Sequence, residues 1–146
     1  MAGRTFDWLM ANGTWPTEWA PRMVFMAHAE WMHSGDTQWL ADRYESLKTK
    51  TLLNRADASG LVQSGPMDVK RHDIVDWPKG ERDGYVFRPY NTVVNAFHLE
   101  ALARMIQMAR AVGKDAEADA FAAQRQKCLA EFQRVFFRES EGLYRD

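Results

Sequence analysis

Several features that mark common classes of protein are scarce in this chain. A single cysteine, Cys128, excludes an internal disulfide and a cysteine metal cluster, and its place on an apolar helical stripe predicts a core residue. The formal net charge is only −1, which gives no basic excess for binding nucleic acid or an anionic membrane. The longest uncharged apolar run, 23–29, is far shorter than the ~20 residues of a membrane span. The four histidines lack metal-ligand spacing, so no metal is expected, and no other cofactor is predicted.

Tryptophan, by contrast, is abundant, with six residues in a chain of 146. Trp31 and Trp39 fall within helical patterns and are expected to pack in the core. Trp15, Trp19 and Trp77 lie in or beside segments that contain proline and glycine, where core filling is a weaker explanation for a large flat side chain. These three residues are therefore candidates for contact with a ligand.

Four segments have the three- and four-residue apolar spacing of amphipathic helices. Gly35 and Gly113 are expected to end the first and third of them in a left-handed conformation. Thr17, Asp36 and Asp115 are expected to cap the first, second and fourth helices. The predicted helices cover about 17–34, 36–54, 91–112 and 115–137.

The apolar stripes of these helices also indicate which side chains form the core. His98 is interpreted as a hydrogen-bonded core histidine in preference to a ligand contact. The methionines assigned to the core are Met23, Met26, Met105 and Met108.

The two halves of the chain repeat one arrangement, in which a long helix, a short break with glycine and a returning helix follow one another. This arrangement predicts an all-α fold of two αα-hairpins with a long loop, 55–89, inserted between them. We call 55–89 the rim loop. Loops longer than ~12–15 residues without structure of their own are uncommon and tend to be functional. Repeated αα-hairpins with long loops at one end are typical of a toroid, so we expect one domain, 1–146, that forms part of such a ring.

The rim loop contains the sequence DWPKGERDGY at 76–85, which holds three carboxylates, an arginine and two aromatic residues. Proline and glycine exclude a long helix here. Carboxylates and a guanidinium can form hydrogen bonds with sugar hydroxyls, and aromatic rings can face the C–H patches of a sugar. The alternative is a solvated turn whose charges pair with one another. Because 76–90 and 15–19 both precede inner helices of the predicted toroid, we expect them to share one rim and favour carbohydrate binding.

Five motifs follow one another along the chain: NGTWPTEW at 12–19, SGDT at 34–37, DIVDWP at 73–78, DGYVF at 83–87 and YNTVVNAFH at 90–98. Together, in this order, they resemble the catalytic domain of bacterial α-L-rhamnosidases, glycoside hydrolase family 78. The resemblance covers nearly the whole chain and implies a six-hairpin (α/α)6 barrel, of which this chain is an internal piece.

The resemblance implies hydrolysis of terminal α-L-rhamnose with inversion, in which one carboxylic acid protonates the leaving oxygen and a second carboxylate activates water. The family's acid motif and the glutamate that serves as its catalytic base have no match in 1–146, so the isolated chain is expected to be inactive. Its expected partner is the remainder of the same catalytic domain. By resemblance, Trp19 and Trp77 would stack on the sugar and Asp76 would bond its hydroxyls. Arg82 and Asp83 are the neighbouring candidates for substrate binding.

Three roles stay open for Glu81, the one catalytic candidate in the chain. The sequence GERDGY at 80–85 superficially resembles the family's acid motif. Its position after the Thr-Glu-Trp segment favours sugar binding or loop ordering instead. A salt bridge with Arg82 or Arg88 is the third role.

Two other functions also fit the pattern. A helical repeat that holds a peptide or partner protein would use Trp15, Trp19 and Trp77 as a binding hot spot. A related (α/α)6 glycosidase could act on a different sugar, because pocket residues outside this chain would determine the specificity.

Overall fold

The computed structural model describes residues 2–146 and, apart from residues 2, 3 and 79, their side chains. Within this part of the chain, α-helices hold most of the residues, which confirms the all-α prediction. A short antiparallel hairpin of β1 (Phe137–Arg138) and β2 (Leu143–Tyr144) follows the last helix. The helices are α1 (Ala2–Asn12), α2 (Trp19–Ser34), α3 (Thr37–Lys48), α4 (Thr92–Ala111) and α5 (Asp115–Phe136), and short helical turns occur at Leu53–Arg55, Asp68–His72 and Lys79–Glu81.

Helix α1 is not among the helices predicted from the sequence. A helix of only 11 residues is marginal by itself and needs tertiary contacts. These contacts come from α2 and from α3, where the Phe6 ring lies 5.5 Å from the Trp39 ring and Asp7 pairs with Arg43 at 3.0 Å. Packing against these two helices therefore stabilises a helix that the local sequence indicates only weakly.

Helix α3 ends at Lys48, before the predicted end at 54. The Thr51 hydroxyl donates to the Lys48 carbonyl at 2.8 Å and so satisfies a group that a longer helix would use. Leu52 then has a φ of 66°, in the left-handed region, which is incompatible with continuing the helix.

The predicted helix ends are partly correct. The Asp36 carboxylate accepts from the Trp39 backbone N–H at 2.8 Å, which confirms it as the cap of α3. Gly35 and Gly113 have φ values of 70° and 75°, as expected for left-handed residues after a helix. The prediction that Thr17 caps the first helix is wrong, because Glu18 precedes α2 and its side chain turns to the rim loop.

The start of the last helix also differs from its prediction. Asp115 is the first residue of α5 and not its cap, and Lys114 occupies the cap position without a capping side-chain hydrogen bond. Asp115 still places a negative charge in the first turn of α5, where the helix dipole favours it.

Helix α4 lies at the centre and packs against α5, α2 and α3. Met23, Met105 and Met108 are buried as predicted, but Met26 is 39% exposed and is not a core residue. Met26 instead lies on the side of α2 that borders a cavity described below. Cys128 is buried, and burial raises the pKa of its thiol to about 12.

His98 is a core histidine, as the sequence predicts. Its side chain is fully buried, and Nδ1 donates to the Thr51 carbonyl at 2.5 Å. Burial lowers the pKa of the imidazole, so the neutral form is favoured in the folded protein.

The segment before α2 and the long loop before α4 lie at the same end of the molecule, where the Thr17 N–H donates to the His72 carbonyl at 2.9 Å. The chain reverses between α2 and α3 at Gly35 and Asp36, and 49–91 then leads from the end of α3 to the start of α4. Helices α2 and α4 therefore begin at the same end. In residues 2–146, none of the helices combines the length and the apolarity that crossing a membrane requires.

Candidate functional site

Two loops meet at the end of the molecule where α2 and α4 begin. We call residues 13–18 the Trp15 loop. The Thr17 backbone N–H donates to the His72 carbonyl of the rim loop at 2.9 Å, and the Trp15 indole Nε1–H donates to the Arg71 carbonyl at 3.4 Å. The structure therefore brings into direct contact two segments that are more than 50 positions apart in the sequence.

Glu18 connects the two loops through a buried carboxylate. Its side chain lies at the start of α2 and the residue is only 4% exposed. Oε1 accepts from the backbone N–H groups of Ile74 and Val75 at 3.1 and 3.0 Å. Charge-assisted hydrogen bonds of this kind are stronger than neutral ones, so Glu18 holds the segment that leads into Trp77.

The first turns of α4 hold the other side of the rim loop. The Asn91 carbonyl oxygen Oδ1 caps α4 by accepting from the Val94 N–H at 2.8 Å, and its amide donates to the Asp73 carboxylate at 3.3 Å. One turn later, the Asn95 amide exchanges two hydrogen bonds with the backbone of Val62, at 2.7 and 3.1 Å. The rim loop is thus anchored by side chains at the starts of both α2 and α4.

Trp19 borders a cavity of about 200 Å³ between α1 and α2. The residue is 46% exposed and is the first residue of α2. Arg22, one turn further along, borders the same cavity, and its guanidinium lies 5.3 Å from the Phe97 ring centre. Arg22 is absent from the predicted site, although its spacing of three residues from Trp19 places it on the same helix face. The lining residues are Leu9, Thr14, Trp19, Arg22, Met23 and Met26.

Asp76 and Trp77 lie on the exposed part of the rim loop. Trp77 is 68% exposed, and its backbone N–H donates to the Asp76 carboxylate at 2.6 Å. Arg82 closes this part of the loop, because its Nε donates to the Asp76 carbonyl at 2.9 Å and its guanidinium lies 5.0 Å from the Phe87 ring centre. Arg82 therefore orders the backbone around Asp76.

Glu81 and Asp83 flank Arg82 on the same loop, and both are exposed. Glu81 ends the short helical turn Lys79–Glu81, where its backbone N–H donates to the Pro78 carbonyl at 2.9 Å. Asp83 has a φ of 45°, a left-handed conformation that aspartate tolerates better than most residues. These contacts describe an ordered turn whose two carboxylates face solvent.

A second cavity, of about 240 Å³, lies beside Trp15. Asp68 is central to its polar side, since Oδ2 accepts from Arg55 at 2.8 Å and from the Gly65 N–H at 3.0 Å, while Oδ1 contacts His72 Nδ1 at 3.0 Å. Burial acts to raise the pKa of the Asp68 carboxyl, but these hydrogen bonds and the Arg55 charge outweigh it and hold the pKa below its usual value. The lining residues are Thr14, Trp15, Thr17, Ala20, Leu52, Arg55, Asp68 and His72.

The cluster of Arg55, Asp68 and His72 beside this second cavity is not predicted from the sequence. Asp68 and His72 are four residues apart on one short helical turn, which is a detectable signal, but Arg55 joins them only through the fold of the rim loop. Among the residues whose side chains are described, no three His, Cys, Asp or Glu side chains converge as a metal ion would require.

Comparison with known proteins identifies the family of this chain. The model of the bacterial alpha-L-rhamnosidase six-hairpin glycosidase domain matches residues 8–146. The chain therefore belongs to the bacterial α-L-rhamnosidase six-hairpin glycosidase family. Comparison with curated proteins gives no match.

One solved structure is similar in fold, the glycoside hydrolase family 78 rhamnosidase of Bacillus sp. GL1, determined at 1.9 Å. The similarity has a TM-score of 0.72 at 23% sequence identity, and it covers 88% of this chain. The matched region is 13% of the Bacillus chain, so this chain spans only a small part of that enzyme.

Proposed function

We propose that this chain supplies part of the sugar-binding rim of an inverting glycoside hydrolase that removes terminal α-L-rhamnose from glycans or glycosides. The observation that carries the proposal is the contact between the Trp15 loop and the rim loop through Glu18, which gathers Trp19 and Trp77 at the end where α2 and α4 begin. Family membership supports the choice of rhamnose.

The cavity beside Trp19 is the place for the rhamnosyl ring in this proposal. A deoxyhexose has about the volume of five water molecules, or roughly 150 Å³, which is less than the 200 Å³ of the cavity. The Trp19 indole offers a flat face for the C–H groups and the 6-methyl group of rhamnose. Arg22 offers guanidinium donors for its hydroxyls.

In this proposal the exposed part of the rim loop also contacts the sugar, because Glu18 ties this loop to the start of α2 beside Trp19. Trp77 offers a second apolar face, and Asp76, Asp83 and Glu81 offer carboxylate acceptors for hydroxyl groups. Arg82 stabilises the conformation of the turn by donating a hydrogen bond to the Asp76 carbonyl. We assign Glu81 to binding, because an exposed carboxylate on an open turn lacks the apolar surroundings that characterise a general acid.

In this proposal the two reacting carboxylates come from the remainder of the same catalytic domain. Inverting hydrolysis needs an acid and a base ~6.5–9.5 Å apart with a water between the base and the sugar. The purified 146-residue chain should therefore release no rhamnose from an aryl α-L-rhamnoside. Release of rhamnose by this chain that is abolished by Glu81→Gln would instead make Glu81 the acid.

Calorimetric titration of the chain with methyl α-L-rhamnoside tests the binding role. Trp19→Ala should weaken binding about fivefold or more, since an aromatic contact contributes about 1 kcal/mol. Trp8→Ala is the matched control, because Trp8 is also an exposed helical tryptophan but does not border the cavity.

The same titration separates the alternative functions. Stronger binding of methyl α-D-glucoside or a methyl glucuronide than of the rhamnoside would favour a different sugar. Equal binding of the rhamnoside by the wild type, Trp19→Ala and Trp77→Ala would remove the basis for a sugar-binding rim and leave the peptide-binding alternative.

A further inference from the structure

Trp15 presents an indole to a cavity separate from the one beside Trp19. The residue is 53% exposed although Pro16, Thr17 and Glu18, which follow it, are buried. Its ring N–H is already engaged with the Arg71 carbonyl, so the ring is held in one orientation by a contact with the rim loop. What is left unused is the flat apolar face, which is the part of an indole that packs against a sugar ring.

The polar side of this cavity presents hydrogen-bonding groups in fixed positions. Both oxygens of Asp68 are occupied by Arg55, the Gly65 N–H and His72, so Asp68 orients its neighbours and has little capacity left for a ligand. Arg55 contacts Asp68 through Nη2, and His72 does so through Nδ1. The rest of the guanidinium and the second imidazole nitrogen can therefore serve a ligand.

The balance of charge in the cavity favours an uncharged ligand. The Arg55 cation is paired with the Asp68 anion at 2.8 Å, so the pair carries no net charge. A phosphate or carboxylate ligand would bring an additional negative charge close to Asp68. A neutral pyranose needs only hydrogen-bond partners and an apolar face, and both are present.

The two cavities adjoin each other through Thr14, which lines both. The cavity beside Trp15, at about 240 Å³, is large enough for one pyranose of roughly 150–200 Å³. From this adjacency we propose that the Trp15 cavity is a second saccharide subsite, which takes the neutral sugar ring to which the terminal rhamnose is linked. The inference rests on the proposed function, because the first ring occupies the Trp19 cavity.

The experiment compares a monosaccharide with a disaccharide by ¹⁹F NMR of the chain labelled with 5-fluorotryptophan. The six tryptophans give one signal each, and Trp15→Phe and Trp19→Phe assign the two relevant signals. The ligands are methyl α-L-rhamnoside and a methyl rhamnosyl-glucoside. Both should shift the Trp19 signal, and only the disaccharide should shift the Trp15 signal.

Two substitutions of Trp15 test whether its aromatic ring contributes to the affinity for the disaccharide. Trp15→Ala should weaken disaccharide binding about tenfold, whereas Trp15→Phe, which also lacks the hydrogen bond to the Arg71 carbonyl but keeps an aromatic face, should retain most of the affinity. Trp8→Ala again serves as the control for loss of an exposed indole.

The outcomes separate this inference from the proposed function. A Trp19 shift with both ligands, without a Trp15 shift and without an effect of Trp15→Ala, overturns the second subsite and leaves the rhamnose site in place. If methyl α-L-rhamnoside by itself shifts the Trp15 signal, the assignment of the terminal rhamnose to the Trp19 cavity and of the second ring to the Trp15 cavity is wrong. If neither ligand shifts either signal, both the proposed function and the second subsite are wrong.

Discussion

At the scale of single residues, Glu18 and Asp73 are acidic side chains that the fold buries at the junction of two loops. Glu18 holds Ile74 and Val75 through one oxygen, and Asp73 accepts from Asn91. Buried carboxylates are costly unless hydrogen-bonded, and the hydrogen bonds of these two side chains tie the rim loop to the starts of α2 and α4. The position of Trp77, only two residues after Val75, depends on these contacts.

Glu18→Ala should therefore loosen the rim loop more than it disturbs the helices. Loss of the acceptor leaves two buried N–H groups without a partner, which costs about 1–3 kcal/mol. Amide hydrogen exchange at Ile74 and Val75 should become faster, while exchange in the middle of α4 stays close to that of the wild type. Glu18→Gln, which keeps the Oε1 acceptor, is the matched control and should largely restore protection. Unchanged exchange in Glu18→Ala would show that Glu18 does not hold the loop.

At the scale of secondary-structure elements, α4 does the most to position the site. Its first turns carry Asn91 and Asn95, both buried, and each side chain contacts the rim loop. The rim loop contains short helical turns, an isolated bridge between Ala56 and Val62 and scattered backbone hydrogen bonds instead of long strands. Side-chain amides at the start of α4 add to this backbone pairing.

Asn95→Ala tests this role of α4. The substitution leaves the N–H and the carbonyl of Val62 without partners in a fully buried position, so unfolding in urea should show a loss of about 1–3 kcal/mol. Asn54→Ala is the control, because Asn54 is exposed and its loss should change the free energy of unfolding by less than ~0.5 kcal/mol. Equal stability of the two variants would contradict an anchoring role for α4.

At the scale of the whole molecule, apolar side chains are exposed at several places in residues 2–146, and two of these surfaces lie on the long helices. One is the side of α2 that carries Trp19 and Met26. The other is a groove of about 500 Å³ between α4 and α5, lined by side chains such as Leu129 and Phe132. In a ring of helix pairs, the groove between α4 and α5 would face a neighbouring hairpin, whereas the Trp19 side of α2 would face the sugar.

The isolated chain is therefore expected to self-associate. Exposed apolar patches larger than a few hundred Å² drive association of soluble domains. Sedimentation velocity between 5 and 200 µM should show an average mass that rises with concentration, and Met26→Lys should reduce the effect because it places a charge on one of the two surfaces. A monodisperse monomer over this range would contradict the proposal that the chain is one part of a larger ring.

The amino-acid sequence by itself determined the all-α class, the αα-hairpins and the family, because apolar periodicity, glycine breaks and ordered motifs are local signals. Asp36 and Gly35 could be assigned from sequence for the same reason. The tertiary structure decided what depends on distant partners: helix α1 forms against α2 and α3, Met26 borders a cavity, and Glu18 turns from α2 to the rim loop. Arg22 and the group of Arg55, Asp68 and His72 belong to that second category, since cavities exist only where separate segments meet.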